Sequence, residues 1–150
     1  MKIAIGTDHR GVKFKKELME KLHENYEFID CSPENYETDD YTDYAIKVSK
    51  MVAESDVDLG ILLCGTGIGM SIASNKIKGV RCALVHNEQE AILARAHNNA
   101  NVIAMGTSND CNSIKNCIEK FIETPFSDEE KHFRRVKKII DFENGEYNGL

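Results

Sequence analysis

Nothing in the 150-residue chain approaches the ~18 consecutive apolar residues of a membrane-spanning helix, so no membrane partner is expected. The N-terminal "MKIAIGTDHRG" carries a short apolar run but lacks a small-residue cleavage site, so it does not read as a secretion signal; the cytoplasm is the expected compartment. Positive charge is in short supply. Lys and Arg number 19 against 25 Asp and Glu, and a net charge of −6 excludes nucleic acid as a partner unless a basic patch is concentrated locally. The five cysteines (Cys31, Cys64, Cys82, Cys111, Cys117) contain no C-x-x-C pair, and no Cys/His set has the spacing of metal ligands. A zinc site is therefore not expected, and unpaired thiols are the expected state. Proline is scarce, and both examples, Pro33 and Pro125, fall between patterned segments. There is no internal repeat, low-complexity stretch or linker, so residues 1–150 read as a single domain.

The chain is rich in short β-like runs alternating with amphipathic helical stretches. Strands are expected at 2–6, 26–30, 58–65, 81–86 and 101–106, and helices at 12–24, 42–55, 67–76, 88–96, 109–123 and about 127–141. Phe14, Leu18 and Leu22 recur every fourth residue in the first helix; Ala45, Val48 and Val52 mark one face of the second, with Ile46 beside it. "DLGILLCG" is nearly continuously apolar, the pattern of a parallel strand buried on both faces. Ser127, three residues before Glu130, reads as the N-cap of the last helix in a capping box. This alternation predicts a three-layer α/β/α Rossmann-like sandwich: a five-stranded parallel sheet, right-handed crossovers and a C-terminal helix. Ligands bind such sheets at the carboxyl ends of the strands. That directs attention to "GTDHRG", "CGTGIG", "VHNE" and "GTSND".

The glycine turn "CGTGIGM" follows the third strand. Gly65, Gly67 and Gly69 give G-x-G-x-G, not the dinucleotide G-x-G-x-x-G, and no Gly-Lys-Ser/Thr follows, which excludes a nucleoside-triphosphate loop. A low-molecular-weight cysteine phosphatase needs Arg where Met70 stands. What remains is a thiol at a strand end followed by amides able to hold an anion or a developing oxyanion. Two readings of Cys64 stay open at this level: a small hydrophobe ending a core strand, or a thiolate held out to react. The polar groups that could join it are individually unspecific. Asp8-His9 suits a turn as well as a catalyst, His97-Asn98 suits a helix end, and Lys131, His132, Arg134 and Arg135 suit a solvated helix.

Taken in order, "GTDHRG", "DYTDYA", "CGTGIGMSIASNK", "GVRCAL", "RAHNNANVIAMG" and "HFRRV" resemble the type B ribose-5-phosphate isomerases, a family that also includes galactose-6-phosphate and allose-6-phosphate isomerases. The resemblance covers about residues 1–140. It implies a cofactor-free and metal-free aldose–ketose isomerase of carbohydrate metabolism, interconverting ribose 5-phosphate and ribulose 5-phosphate through a cis-enediolate. In its cysteine branch the residue matching Cys64 is the proton-transferring base; another branch has a Glu where this chain has Met70. Thr66 and His97 match residues assigned to ring opening, with Asp8 orienting sugar hydroxyls or assisting. The Gly65, Gly67 and Gly69 turn would hold the enediolate and Asn98 a sugar hydroxyl. His9, Lys131 and Arg135 match ligands of the phosphate or terminal hydroxyl. Because the family's His-Asn pair comes from the neighbouring subunit, a homodimer or tetramer with shared sites is implied.

The chain departs from the pattern at Thr107, Ser108 and Asn109, where an Arg is common, and at Lys131, where another phosphate-binding Arg aligns. Thr42 replaces a Pro, and Arg10 a small residue. Lys retains charge but not the bidentate fork of Arg. A six-carbon sugar phosphate, a free sugar, or a non-catalytic sugar-phosphate-binding role are the alternatives. A thiol redox role is weakened by the lack of a nearby resolving cysteine.

Overall fold

The computed structural model describes residues 1–108 and 110–149. Its strands are β1 (Lys2–Thr7), β2 (Glu27–Asp30), β3 (Leu59–Cys64), β4 (Cys82–Leu84) and β5 (Val102–Gly106). Its helices are α1 (Val12–Leu22), α2 (Tyr41–Ala53), α3 (Ile68–Ser74), α4 (Glu88–Asn98), α5 (Cys111–Glu123) and α6 (Glu130–Glu143). All strand pairs are parallel, in the order β2-β1-β3-β5-β4. The expected α/β sandwich is the observed one.

β3 is central, and every one of its residues is buried. Alternation divides the core. Ile3, Ile5, Ile61, Leu63, Ile103 and Met105 face one layer, with Leu18 of α1, Ala91 of α4 and Phe121 of α5. Ala4, Leu62, Cys64 and Ala104 face the other, with Val48 of α2 and Met70 of α3. Each fully buried Leu or Ile contributes about 1.5–3 kcal/mol, so this strand is the main anchor of the site at its end. No helix among the described residues is long and apolar enough to cross a membrane.

Two local expectations are corrected. Helix α6 starts at Glu130 with Glu129 at its N-cap, and Ser127 forms no capping box. The Ser127 N–H is donated to Ala96 O at 2.9 Å, which ties the segment to α4, and its hydroxyl accepts the Glu129 N–H at 3.1 Å. A reciprocal side-chain cap of this kind sits on α4. There Asn87 accepts the Glu90 N–H at 2.9 Å, and Glu90 reaches back to the His86 N–H at 2.8 Å. Helix α5 begins at Cys111, because Asp110 caps it through the N–H groups of Asn112 and Ser113; Asn109 lies outside the described residues. Ile46, beside the buried face of α2, is 37% exposed.

Strand order positions the site. From β1 the chain moves to β2 on one side, then crosses to β3 on the other. The loops leaving β1 and β3 therefore diverge above the sheet and leave a crevice at their carboxyl ends.

Candidate functional site

A cleft of about 280 Å³ occupies that crevice, lined by Asp8, His9, Arg10, Asp39, Tyr41, Cys64, Gly65, Thr66 and Gly69. Five residues far apart in sequence but selected by motif thus meet: Asp8 and His9 from the end of β1, and Cys64, Gly65 and Thr66 from the end of β3. Gly69, on the first turn of α3, joins them.

Cys64 is both a core residue and a residue of the cleft wall. It is 5% exposed and packs with the core, yet it lines the cleft. Its Sγ accepts the Gly67 N–H at 3.1 Å, while its carbonyl accepts the Thr107 N–H at 3.0 Å, which fixes the strand end. The amide of Gly67 is thus directed at sulfur rather than into the cleft. That turn needs glycine. Gly67 has φ +77°, and a Cβ there would lie 2.9 Å from the carbonyl carbon of Met105. A Cβ at Gly69 would collide with the Tyr41 ring, which closes one wall of the cleft. Thr66 is exposed, and its hydroxyl accepts the Ile68 N–H at 3.3 Å.

Asp8 is 6% exposed. Its Oδ1 accepts the Arg10 N–H at 3.0 Å and its carbonyl accepts the Gly11 N–H at 3.1 Å, so the turn orients its own carboxylate. His9 is held by Asp39: the backbone N–H and Nδ1 both lie on Oδ1, at 3.1 and 2.9 Å. Asp39 also accepts from Asn35 Nδ2 at 2.8 Å and from the Tyr44 hydroxyl at 3.0 Å. Burial works to raise the Asp39 carboxyl, but the hydrogen bonds from Asn35, His9 and Tyr44 outweigh it and hold the group well below the usual carboxylate range. An ionised acceptor on Nδ1 requires the proton there, leaving Nε2 of a neutral His9 as an acceptor.

His97, Asn98, Lys131 and Arg135 do not line this cleft. They stand on α4 and α6, where His97 stacks on His132 with ring centroids 3.9 Å apart and planes 7° from parallel. His132 is 4% exposed, and its Nε2 is buried without a hydrogen-bond partner among the described residues. Burial, then the neighbouring His97, lower its pKa from the ordinary histidine value. Lys131 pairs with Glu129 at 2.6 Å. The end of α4 is secured by Arg95, whose Nη1 donates to Ala100 O at 2.6 Å, and by Asn99 in the left-handed region. A larger groove, about 630 Å³, runs along β4 with α4 and α6; of the expected site residues only Asn98 reaches it. Its thiol, Cys82, is pushed up to about 11 by burial, so the larger groove offers no ready nucleophile.

A family model described as Ribose/Galactose Isomerase matches residues 3–139. The chain belongs to the ribose/galactose isomerase family. Among relatives of this isomerase chain, the probable ribose-5-phosphate isomerase B of Mycoplasma genitalium is 42% identical over 146 residues, covering 94% of this chain and 95% of that one. The ribose-5-phosphate isomerase B of Mycobacterium tuberculosis is 36% identical over 149 residues, covering 95% and 90%. The solved type B ribose 5-phosphate isomerase of Trypanosoma cruzi superposes with a TM-score of 0.92 at 41% identity, covering 97% and 99%. The Mycoplasma genitalium isomerase B solved with bound ribulose-5-phosphate gives 0.90 at 39%, covering 95% and 96%.

For this isomerase, four residues of the two clusters escaped site selection by sequence: Arg10, Asp39, Tyr41 and His132. Asp39 lies in a stretch without periodicity, and only its contact with His9 reveals it. Tyr41 and His132 sit inside the motifs "DYTDYA" and "HFRRV", which is the signal that could have found them. Met70, in place of the glutamate of another branch, is fully buried in the core. Among the described residues no group of three or more His, Cys, Asp or Glu is arranged to hold a metal ion.

Proposed function

We propose that this isomerase interconverts ribose 5-phosphate and ribulose 5-phosphate through a cis-enediolate, with Cys64 as the proton-transfer base. The observation that carries the reading is the presence of Cys64 Sγ in one cleft with Asp8, Thr66 and the glycine turn. The relatives named as ribose-5-phosphate isomerases, one of them bound to ribulose 5-phosphate, support the substrate.

Thr66 and His97 assist opening of the furanose ring, with Asp8 orienting the hydroxyls. The Cys64 thiolate then takes the carbon-2 proton, and the electron pair passes into the carbon–oxygen system to give the enediolate. Return of a proton to carbon 1 yields the ketose. Substrate and product are isomers, so no electrons or groups leave the site. The Gly67 amide faces the sulfur on which the negative charge of the base resides, and the Gly65 and Gly69 backbone borders the developing enediolate.

His97 and Asn98 enter the cleft of a second copy of the chain, in a homodimer or a pair of dimers. Their absence from the lining of their own cleft supports this, as does the apolar surface on α6: Phe133, Ile139, Ile140 and Phe142 are 61%, 44%, 39% and 73% exposed. His9, Lys131 and Arg135 attend the phosphate end.

The deciding experiment follows carbon-2 proton exchange and turnover in Cys64→Ala, assayed in deuterium oxide with ribose 5-phosphate, allose 6-phosphate, galactose 6-phosphate and unphosphorylated ribose. Loss of both exchange and turnover, with the circular dichroism unchanged, is expected. Full activity of the variant would remove Cys64 from the mechanism.

A further inference from the structure

The cleft has two carboxylates, from Asp8 and Asp39, and Arg10 is the one lysine or arginine among the residues that line it. A sugar phosphate carries close to two negative charges at neutral pH, so a cleft of this composition needs a cation for the phosphate to meet. Within one chain neither Lys131, which is paired with Glu129 at 2.6 Å, nor Arg135 reaches this cleft, so the part they take at the phosphate comes from a second copy, and Arg10 is the cation this chain itself supplies. After β5, where the family resemblance implies an arginine, this chain has Ser108.

Arg10 is held in a way that leaves its charge available. Its backbone N–H is donated to Asp8 Oδ1 at 3.0 Å, and the Gly11 N–H closes the turn on Asp8 O at 3.1 Å. From this turn the side chain crosses to the glycine loop and lies against Gly65. A Cβ at Gly65 would sit 2.9 Å from Arg10 Nη1 and 3.1 Å from Cδ, so the contact depends on the absence of a side chain at position 65. The guanidinium thus bridges the loops that follow β1 and β3, and no ion pair or hydrogen bond occupies it among the described residues. A planar fork with five donors matches two phosphate oxygens at once.

We propose that Arg10 binds the phosphate of the substrate and is a specificity-determining residue of this isomerase for phosphorylated sugars. The proposal rests on the isomerase reading for its substrate but is tested separately by equilibrium binding. Arg10 reads the phosphate, so its removal affects binding, whereas a group acting at the reacting carbons would affect turnover.

The test compares the full-length protein with Arg10→Ala and Arg10→Lys, in two measurements. Inorganic phosphate is titrated calorimetrically, and KM and kcat are measured with ribose 5-phosphate. The expected result is at least tenfold weaker phosphate binding in Arg10→Ala, a similar rise in KM, kcat within threefold of the parent, and an intermediate position for Arg10→Lys. Unchanged phosphate affinity would overturn the proposal, as would a fall in kcat at constant KM. If the parent fails to turn over ribose 5-phosphate, the isomerase reading falls for that sugar, while the phosphate titration still decides Arg10. The Arg10 side chain is exposed, so the variants are expected to keep the parent's melting temperature, which is checked first.

Discussion

One carboxylate oxygen, Oδ1 of Asp39, accepts both the backbone N–H and the Nδ1–H of His9, at 3.1 and 2.9 Å. The pair fixes the ring's rotation and its tautomer together, although its members are thirty positions apart with α1 and β2 between them. Asn35 and Tyr44 hold Asp39 in turn, so three side chains, two from the loop before α2 and one from α2 itself, place one imidazole.

Replacing Asp39 by Ala removes a buried acceptor of several hydrogen bonds and leaves its donors unpaired. A loss of about 2 kcal/mol at pH 7 is expected, read by urea denaturation. Its pH dependence has a definite sign. The folded Asp39 carboxyl lies below the usual value, so its stabilisation is fully present above about pH 4 and is lost as the pH falls through the depressed folded value. The gap between parent and variant should therefore be constant from pH 5 to 8 and narrow in strong acid. A gap that widens in acid would contradict the assignment.

The acid sensitivity of His132 runs through a different range. Its folded pKa is lowered by burial and by His97, with Lys131 and Arg135 adding to the effect and Glu129 opposing it. A histidine kept neutral in the folded state costs stability below its unfolded value, because the unfolded chain binds the proton first. Thermal stability is expected to fall as the pH drops below about 6.5, and the slope to be reduced in His132→Gln. Parallel melting curves of the two proteins between pH 5 and 7.5 would refute this.

Glycine 67 is the residue of the turn with least tolerance. A side chain there meets an unfavourable φ of +77° and the backbone of Met105. Gly67→Ala is expected to cost at least 1–2 kcal/mol and to displace the amide that faces Cys64 Sγ, reducing kcat/KM about a hundredfold or more. Denaturation and steady-state kinetics on one preparation read both effects. Retention of full activity would separate that amide from catalysis.

The proposed sharing of sites between two copies of the chain makes a quantitative prediction. Cys64→Ala and His97→Ala are each expected to be inactive. When they are refolded together, one site of each mixed dimer regains Cys64 from one subunit and His97 from the other. Random pairing then restores about a quarter of parental activity. No recovery, with mixed dimers demonstrated by a tag, would place both residues in the same subunit's site.

Much of this could be read along the chain. Strand and helix order followed from apolar periodicity, because a parallel sheet buried on both faces leaves an uninterrupted run such as Leu59–Cys64. The glycine turn was legible because its spacing excluded other phosphate loops, and Cys64 was legible as a position although not as a role. The start of α6 was misread at Ser127, since a hydroxyl and a glutamate three residues apart fit a capping box whether or not the intervening backbone turns. Here Ala96 takes the Ser127 N–H and keeps the segment out of the helix.

The sequence by itself determined the layers, the strand ends and the ordered motifs that define the family, because these depend on local pattern and fixed spacing. Only the tertiary structure decided that β1 and β3 lie side by side at the point where the chain reverses direction across the sheet. That adjacency brings Asp8 to Cys64, lays Arg10 over Gly65 and gives His9 its partner in Asp39. It also separated His97 and Arg135 from the cleft that the motifs had joined them to. These relations arise from through-space contact between distant segments, and local periodicity contains no measure of that distance.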